Sequence, residues 1–259
     1  VDINKVKNIV IKAAKEELLP RFTKVKRGIK ADGTFLTEAD LAVQNRIARE
    51  LNTYWPDILF LGEEMEAEQQ HALLQNDKSV WVLDPLDGTS NYASGIPFYA
   101  VSLALIEQGQ LSLGIVYDPE RDECFYARKG EAAWMNEEKM ETIDTGLSLK
   151  QSTGLIDFKR LAPDLATRLA TEIPYASQRS FGSVALDWCW IAMGRSHVYL
   201  HGKQNLWDYA AGHLILAEAG GESCTLDGEA VFNNSLTPRS AVAALDNKLF
   251  RAWVEWLDI

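Results

Sequence analysis

Wound as a helix, residues 1–19 carry Ile3, Val6, Val10, Ala14 and Leu18 on one face, so the chain is expected to open with an amphipathic helix. Residues 26–35 break that period; they are polar, contain Asp32-Gly33, and predict a loop or loose hairpin. A second helix should start at Thr37-Glu38-Ala39-Asp40 with Thr37 as N-cap, and run to about Tyr54, ahead of Pro56. Residues 58–61 are apolar without a break and predict a short buried strand leading into Gly62-Glu63-Glu64. An exposed helix over 65–75 follows.

From Val80 the pattern becomes β. Residues 80–83, 98–107, 111–117 and 123–128 read as strands, joined by turns such as Gln108-Gly109 and Asp118-Pro119, and their close succession predicts antiparallel pairing. The second half alternates: helices are expected at 162–171, 184–193, 208–219 and 248–257, with short strands at 198–201 and 241–244. A β-rich middle followed by alternation implies sheets layered with helices. No Pro/Gly/Ser linker or repeat marks a boundary.

Composition narrows the functions this layered chain could serve. With 259 residues, 47% of them hydrophobic, it can bury a large core as one domain or two closely packed lobes. Against 37 acidic residues stand 26 basic ones, a net charge of -11 that repels nucleic acid backbones and anionic membranes, so neither is expected as a partner. Cys124, Cys189 and Cys224 are odd in number and outside any CxxC spacing. That argues against a disulfide framework or a zinc site and favours a cytoplasmic location. No apolar stretch approaches the roughly 20 residues of a membrane span, and the start lacks the continuous apolar core of a signal peptide.

The chemistry concentrates in Trp81-Val-Leu-Asp84-Pro-Leu-Asp87-Gly-Thr-Ser-Asn91. An apolar strand ends on two aspartates and turns through a glycine into hydroxyl residues. On frequency alone such a run is a solvated Asp-Gly turn. Two charges directly behind a Trp-Val-Leu strand are more than a turn needs, and acids recur at similar places. Glu63-Glu64 follows a buried strand, though it would equally suit the start of an exposed helix. Asp208 opens a helix, where it could serve only as an N-cap, worth about 1 kcal/mol; cap and ligand are compatible roles. Glu63, Asp84, Asp87 and Asp208 make an all-oxygen donor set that suits Mg2+ or Mn2+ and not zinc. Their mutual repulsion favours two or three cations over one. The Gly88-Thr89-Ser90 amides and hydroxyls offer a site for an oxyanion. Arg179-Ser-Phe-Gly182-Ser183 leads into a helix and is either an anion-binding start or a plain turn capped by Ser183. His213 lies inside a helix and reads as packed, and neither it nor His201 has a Ser or Cys nucleophile motif beside it. No GxxxxGK[ST] loop is present.

Gly62-Glu-Glu64, Asp84-Pro-Leu-Asp-Gly-Thr-Ser-Asn91 and Trp207-Asp-Tyr-Ala-Ala-Gly212 with Glu218-Ala-Gly-Gly221 resemble the inositol monophosphatase family of Mg2+-dependent, lithium-sensitive phosphatases. The likeness runs in order from Thr37-Glu-Ala-Asp40 through Gly182-Ser183 to Gly221. It implies an α/β (α+β) chain in a five-layer αβαβα sandwich of the inositol monophosphatase / fructose-1,6-bisphosphatase type, usually a homodimer. One phosphatase domain would span 1–259, with a first lobe to about residue 145 carrying most ligands and a second from about 146 carrying Asp208. Carried over by position, Glu63, Asp84 and Asp87 with the Leu86 carbonyl would hold the first metal or metals, and Asp208 with the two loop aspartates the second. Asp40 matches an acid near a weaker third site. Glu63 and Thr89 would orient the attacking water, and Gly88, Thr89 and Ser90 would cradle the phosphate. Gly182, Ser183, Val184 and His201, together with Asp87 and Asp208, would face the substrate.

The resemblance implies in-line attack of a metal-activated water on a small sugar or polyol phosphate such as inositol 1-phosphate, without a covalent intermediate. Fructose-1,6-bisphosphatase, histidinol-phosphate, 3'-phosphoadenosine 5'-phosphate and NADP phosphatase activities are alternatives on the same fold, and a regulatory macromolecule-binding role is a non-enzymatic one. One departure stands out. Inositol-specific members carry an acid a short interval before the Trp-Asp pair, where this chain has His201, which cannot accept two hydroxyls as a carboxylate does. Lys203, just beyond it, is expected to add positive charge at the pocket rim.

Overall fold

The computed structural model describes residues 1–22, 28–29 and 35–259. The Asp32-Gly33 turn lies outside these residues, but its flanks, β1 (Gly28–Ile29) and β2 (Phe35–Leu36), pair antiparallel as a hairpin would.

Seven strands form one sheet in chain order: β3 (Leu59–Gly62), β4 (Val80–Asp87), β5 (Ala100–Glu107), β6 (Gln110–Asp118), β7 (Glu123–Arg128), β8 (Ala133–Met135) and β9 (Glu138–Met140). Only β3 and β4 run parallel; the rest is the expected antiparallel meander. The second sheet has the order β11-β10-β12-β14-β13, from β10 (Thr153–Asp157), β11 (Ser177–Arg179), β12 (Val198–Gln204), β13 (Glu222–Cys224) and β14 (Arg239–Ala244). Here β10 runs parallel to both its neighbours.

The helices are α1 (Ile3–Ala13), α2 (Glu38–Tyr54), α3 (Ala67–Leu74), α4 (Thr89–Ser94), α5 (Pro163–Thr171), α6 (Val184–Ala192), α7 (Leu206–Glu218) and α8 (Asn247–Leu257). A π-helical turn, Ala14–Leu18, prolongs α1. Asp2 caps α1, and Thr37 with Asp40 forms a capping box at the start of α2.

Side-chain alternation along β4 decides the layering. Trp81 and Leu83 face one way and pack with Val6 and Val10 of α1 and Val43 and Ile47 of α2. Val80 and Val82 face the other way, onto Trp188 of α6 and Ala211 and Ile215 of α7. The same two helices bury their far side against Tyr199, Ala241 and Ala243 of the second sheet. A helix enclosed by two sheets must be apolar on most of its circumference, and α7 buries Leu206, Tyr209, Ala210, Ala211, Leu214, Ile215 and Leu216. On the outer face of the second sheet, Leu169 of α5 and Leu249, Trp253 and Leu257 of α8 cover Ile156, Val198, Leu200 and Val242. Each such buried side chain contributes roughly 1.5–3 kcal/mol relative to exposure. The order is helices, seven-stranded sheet, α6/α7, five-stranded sheet, α5/α8: a five-layer αβαβα sandwich.

Several boundaries differ from the sequence expectation. The strand from Val80 does not stop at Leu83 but continues to Asp87, and the run after Gly88 is a short helix, α4, where a loop was expected. Helix α7 begins at Leu206, with Asn205 as its N-cap, so Asp208 is not the cap but the N3 member of a capping box. The strands β8 to β11 and β13 were not expected; each has five residues or fewer, too short for a period to register.

Candidate active site

Asp84 and Asp87 reach the same side of the first sheet because β4 is bulged there. In a regular strand, residues three apart point to opposite faces. Between Asp84 (opposite Ser102) and Asp87 (opposite Ala100) the register shifts, three steps on β4 against two on β5. Pro85, which cannot donate to a ladder, sits inside the bulge. Leu86 then faces the α1/α2 layer, and both aspartates face the middle of the molecule. Asp84 Oδ1 accepts from Leu86 N at 2.9 Å.

Next to them, β3 delivers Glu63, whose N–H donates to Leu83 O at 3.0 Å. Two glutamines fix this corner: Gln70 Nε2 donates to the Gly62 and Glu63 carbonyls, and Gln44 Oε1 accepts from Glu64 N.

The chain leaves Asp87 through Gly88, at φ +93°, into α4. A Cβ at Gly88 would lie 3.0 Å from Phe98 O in a backbone conformation that L-residues avoid, so the turn requires glycine. Thr89 and Ser90, the first residues of α4, border the cleft, and helix-start N–H groups lack intrahelical partners. Thr89 Oγ1 lies 2.9 Å from Leu86 O and 3.3 Å from Asp40 Oδ1. Asn91 ties this helix to the second half by donating to Phe98 O and Phe181 O.

From the second half come Asp208 on α7 and the start of α6. Ser183 caps α6, as the blander reading of that segment had it, and its hydroxyl also meets Asp87 Oδ2 at 2.5 Å. Ala185 N donates to the same oxygen at 2.7 Å. Asp208 Oδ2 accepts from Asn205 N at 2.8 Å.

One cleft of about 420 Å3 therefore gathers Glu63, Asp84, Leu86, Asp87, Gly88, Thr89, Ser90, Gly182, Ser183, Val184, His201 and Asp208. Asp40 is not on its wall: it is buried, with Oδ2 held by the Thr37 N–H and hydroxyl. Contrary to expectation, Lys203 is exposed and does not border the cleft. Among the described residues, the basic ones that border it are Lys159 and Arg160, which sequence reasoning missed, as it missed Asp157, Asp187 and Asn205. Asn205-Leu-Trp-Asp208 carried a legible capping-box signal, and Asp157-Phe-Lys-Arg160 is a polar group ending the apolar run Gly154-Leu-Ile156. His201 borders the cleft but is only 1% exposed. Its Nδ1 accepts from Lys203 N at 3.2 Å, and Nε2 lies 2.9 Å from Asp157 Oδ2. Both nitrogens face protein.

The acids oppose one another electrically. Burial, then repulsion from Glu63, Asp87 and Asp208, pushes the Asp84 carboxyl well above the usual carboxylate range. Burial and the charges of Asp87 and Glu63 do the same to Asp208, eased by Asn205 N–H and Arg160. Burial lifts Asp87 to about 6 even though Ser183 and the amides of Ala185 and Val184 favour its charged form. Asp187 is likewise driven well up by burial and by Asp87 and Asp157, and its Oδ1 has no hydrogen-bond partner. Buried carboxylates that resist ionisation beside one another call for positive charge between them. Among the described residues, no three His, Cys, Asp or Glu side chains already converge into a closed ligand shell. The donor chemistry fits hard divalent cations; the spacing is that of an open cleft.

A model of the inositol monophosphatase family matches residues 2–255. The chain is 35% identical over 198 residues to the Nus factor SuhB of Xylella fastidiosa, covering 75% of this chain and 70% of that protein. It is 31% identical over 199 residues to the inositol-1-monophosphatase of Bacillus subtilis, covering 75% and 73%. Among solved structures it is similar to the extragenic suppressor protein suhB of Bartonella henselae, with a TM-score of 0.82 and 28% identity across 97% of this chain and 98% of that one.

Proposed function

This chain belongs to the inositol monophosphatase family, and from that premise we propose that it is a Mg2+-dependent phosphomonoesterase acting on a small phosphorylated sugar or polyol. The observation that carries the reading is the meeting of four mutually repelling carboxylates with the amide-lined start of α4 in one cleft. Glu63, Asp84, Asp87 and Asp208, with the Leu86 carbonyl, would hold two or three Mg2+ or Mn2+ ions. Bound there, such ions supply Lewis-acid charge to a phosphoryl group and lower the pKa of water to nucleophilic use.

The chain's own residues supply the rest. The Gly88, Thr89 and Ser90 amides hold phosphoryl oxygens at a helix start, where backbone dipoles favour an anion. Thr89 Oγ1, already turned toward Leu86 O, and the Glu63 carboxylate orient a water for in-line attack. Asp87 spends Oδ2 on α6 and keeps Oδ1 for the cleft, so one side chain both binds and positions. Among the described residues, no Ser or Cys of the cleft is hydrogen-bonded to a His, consistent with direct attack by water. Asp40, behind Thr89, acts by holding that hydroxyl rather than from the cleft wall.

The test is phosphate release from inositol 1-phosphate, fructose 1,6-bisphosphate, histidinol phosphate, 3'-phosphoadenosine 5'-phosphate and NADP, with and without Mg2+ and Li+. Turnover that needs Mg2+ and is inhibited by Li+ supports the reading. If no ester is hydrolysed in a Mg2+-dependent way, the reading fails. The likeness to a protein named Nus factor SuhB favours a second, additional role on a macromolecular partner, which would persist in a catalytically silent Asp84→Asn protein.

A further inference from the structure

Lys159 and Arg160 border the cleft from a single turn, Phe158–Arg160, that leaves the end of β10. Four contacts hold the turn in place, three of them through Asp157. Asp157 caps it, with Oδ1 accepting from Lys159 N at 3.0 Å. Asp157 Oδ2 then meets Arg160 Nη1 at 3.3 Å and His201 Nε2 at 2.9 Å. Behind it, β12 passes so close that a Cβ at Gly202 would come to rest 1.9 Å from the Arg160 carbonyl oxygen. Since Asp157 and His201 are direct partners in the parallel β10/β12 register, the sheet itself fixes where the turn emerges.

The charges on this turn are available. Among the described residues, the Lys159 ammonium has no hydrogen bond or ion pair, and Arg160 has one ionic partner, Asp157. Burial pushes the Asp157 carboxyl up, but His201 and Arg160 outweigh it and bring it below its usual range, so it stays charged and keeps hold of Arg160. Lys159, Arg160 and Asp157 together leave one net positive charge on a chain whose total is -11. Arg160 is also near enough to Asp208 for its charge to be felt there, which links the turn to the metal-binding end. The phosphoryl group has its own cradle at Gly88 to Ser90. The hydroxyls of a neutral polyol accept hydrogen bonds from Lys159 and Arg160 but leave their charge uncompensated, which a second anionic group does not.

Resting on the phosphatase reading of this cleft, we propose that the Phe158–Arg160 turn is a specificity element: Lys159 and Arg160 bind a second anionic group, a phosphate or carboxylate, on the alcohol part of the ester. Arg160 offers a planar fork of donors and Lys159 a mobile point charge, a combination suited to an oxyanion at the rim. Because both side chains are exposed, the effect is salt-sensitive and about tenfold in size.

The experiment compares kcat/KM for inositol 1-phosphate, fructose 1,6-bisphosphate and 2-phosphoglycerate at low and high salt, in the wild type and in Lys159→Gln/Arg160→Gln. The wild type should prefer at least one doubly anionic ester over inositol 1-phosphate, by about tenfold at low salt and less at high salt. The double variant should lose most of that ratio, through KM. The bisphosphate and phosphoglycerate arms separate a phosphate from a carboxylate handle. Equal use of neutral and anionic esters by the wild type, or an unchanged ratio in the variant, overturns the proposal. Lys159→Gln alone, which touches no structural contact, gives the same decision should the double variant fold poorly. If no ester at all is hydrolysed, the phosphatase reading falls by itself. Calorimetric binding of fructose 1,6-bisphosphate in Mg2+ then decides this inference, since equal affinity for wild type and variant overturns it.

Discussion

Replacing Asp84 by Asn should make the metal-free protein more stable while it silences the site. Asn is isosteric and its side-chain oxygen can still accept the 2.9 Å bond from Leu86 N, so the bulge in β4 survives. What disappears is one of four charges that repel one another in a buried place. For a carboxyl whose folded pKa is raised, the penalty is absent below its unfolded pKa, where both states are protonated. It grows as pH climbs toward the folded pKa, because the unfolded chain ionises first. Asp87 sets the scale: raised from 3.8 to about 6, it costs about 3 kcal/mol above that pH. Asp84 is driven in the same direction by burial, Glu63, Asp87 and Asp208, so its removal should likewise return stability. Urea unfolding in EDTA at pH 7 should show Asp84→Asn more stable than the wild type, with a raised Tm. Phosphate release should fall by more than about 100-fold. Adding Mg2+ should reverse the ranking, since the wild type alone gains the full ligand-binding stabilisation. An Asp84→Asn protein that is less stable than wild type in EDTA, or that remains active, would refute this account of the carboxylates.

Two further outcomes follow from the packing. Gly88→Ala forces a left-handed residue toward Phe98 O and should cost about 2 kcal/mol with at least a tenfold loss of turnover; Gly228→Ala, at φ +73° with nothing within 4 Å, should cost only about 1 kcal/mol and spare activity. Thermal melts and phosphate release on the pair check this. His213 is pushed down to about 4 by burial, and its Nδ1 has no partner, so it is neutral in the fold and protonated in the unfolded chain below pH 6.5. Its contribution is complete above pH 6.5 and is lost as pH falls toward 4. Discounted because the residue is not fully buried, it amounts to about 2 kcal/mol. The difference in unfolding free energy between wild type and His213→Leu, followed over that window, should change by this amount; a flat difference removes the explanation.

Much of the molecule could be read from local pattern. The helix starting at Thr37 and the meander from Val80 to Arg128 carry strong periods, and their strands pair with sequence neighbours. The acids at 63, 84, 87 and 208 could be singled out because each ends or begins an apolar run. Their convergence was only partly legible. Nothing in Asp84-Pro-Leu-Asp87 states that a bulge turns both carboxylates to one face, although proline inside an apolar strand hints at it. Asp157 and His201 are 44 positions apart and meet through a parallel register between strands that are not consecutive, a contact no local period encodes. For the same reason local pattern points to Lys203, beside the Trp-Asp pair in sequence, whereas among the described residues Lys159 and Arg160 border the cleft.

The link from Asp87 to the start of α6 bears on how the protein comes to be active during folding. The meander and α1/α2 close a core of their own from residues 1–128, mostly through contacts between sequence neighbours that form early. Asp87 acquires the Ser183 hydroxyl and the Ala185 amide only when residues nearly a hundred positions later dock against it. Catalytic competence is thus the last property the chain acquires: a truncated first half would lack Asp208 and the partners of Asp87, and would leave the Val80/Val82 face of its sheet uncovered. Two separately expressed halves, split in the exposed segment near residue 145, would report their own association by regaining turnover.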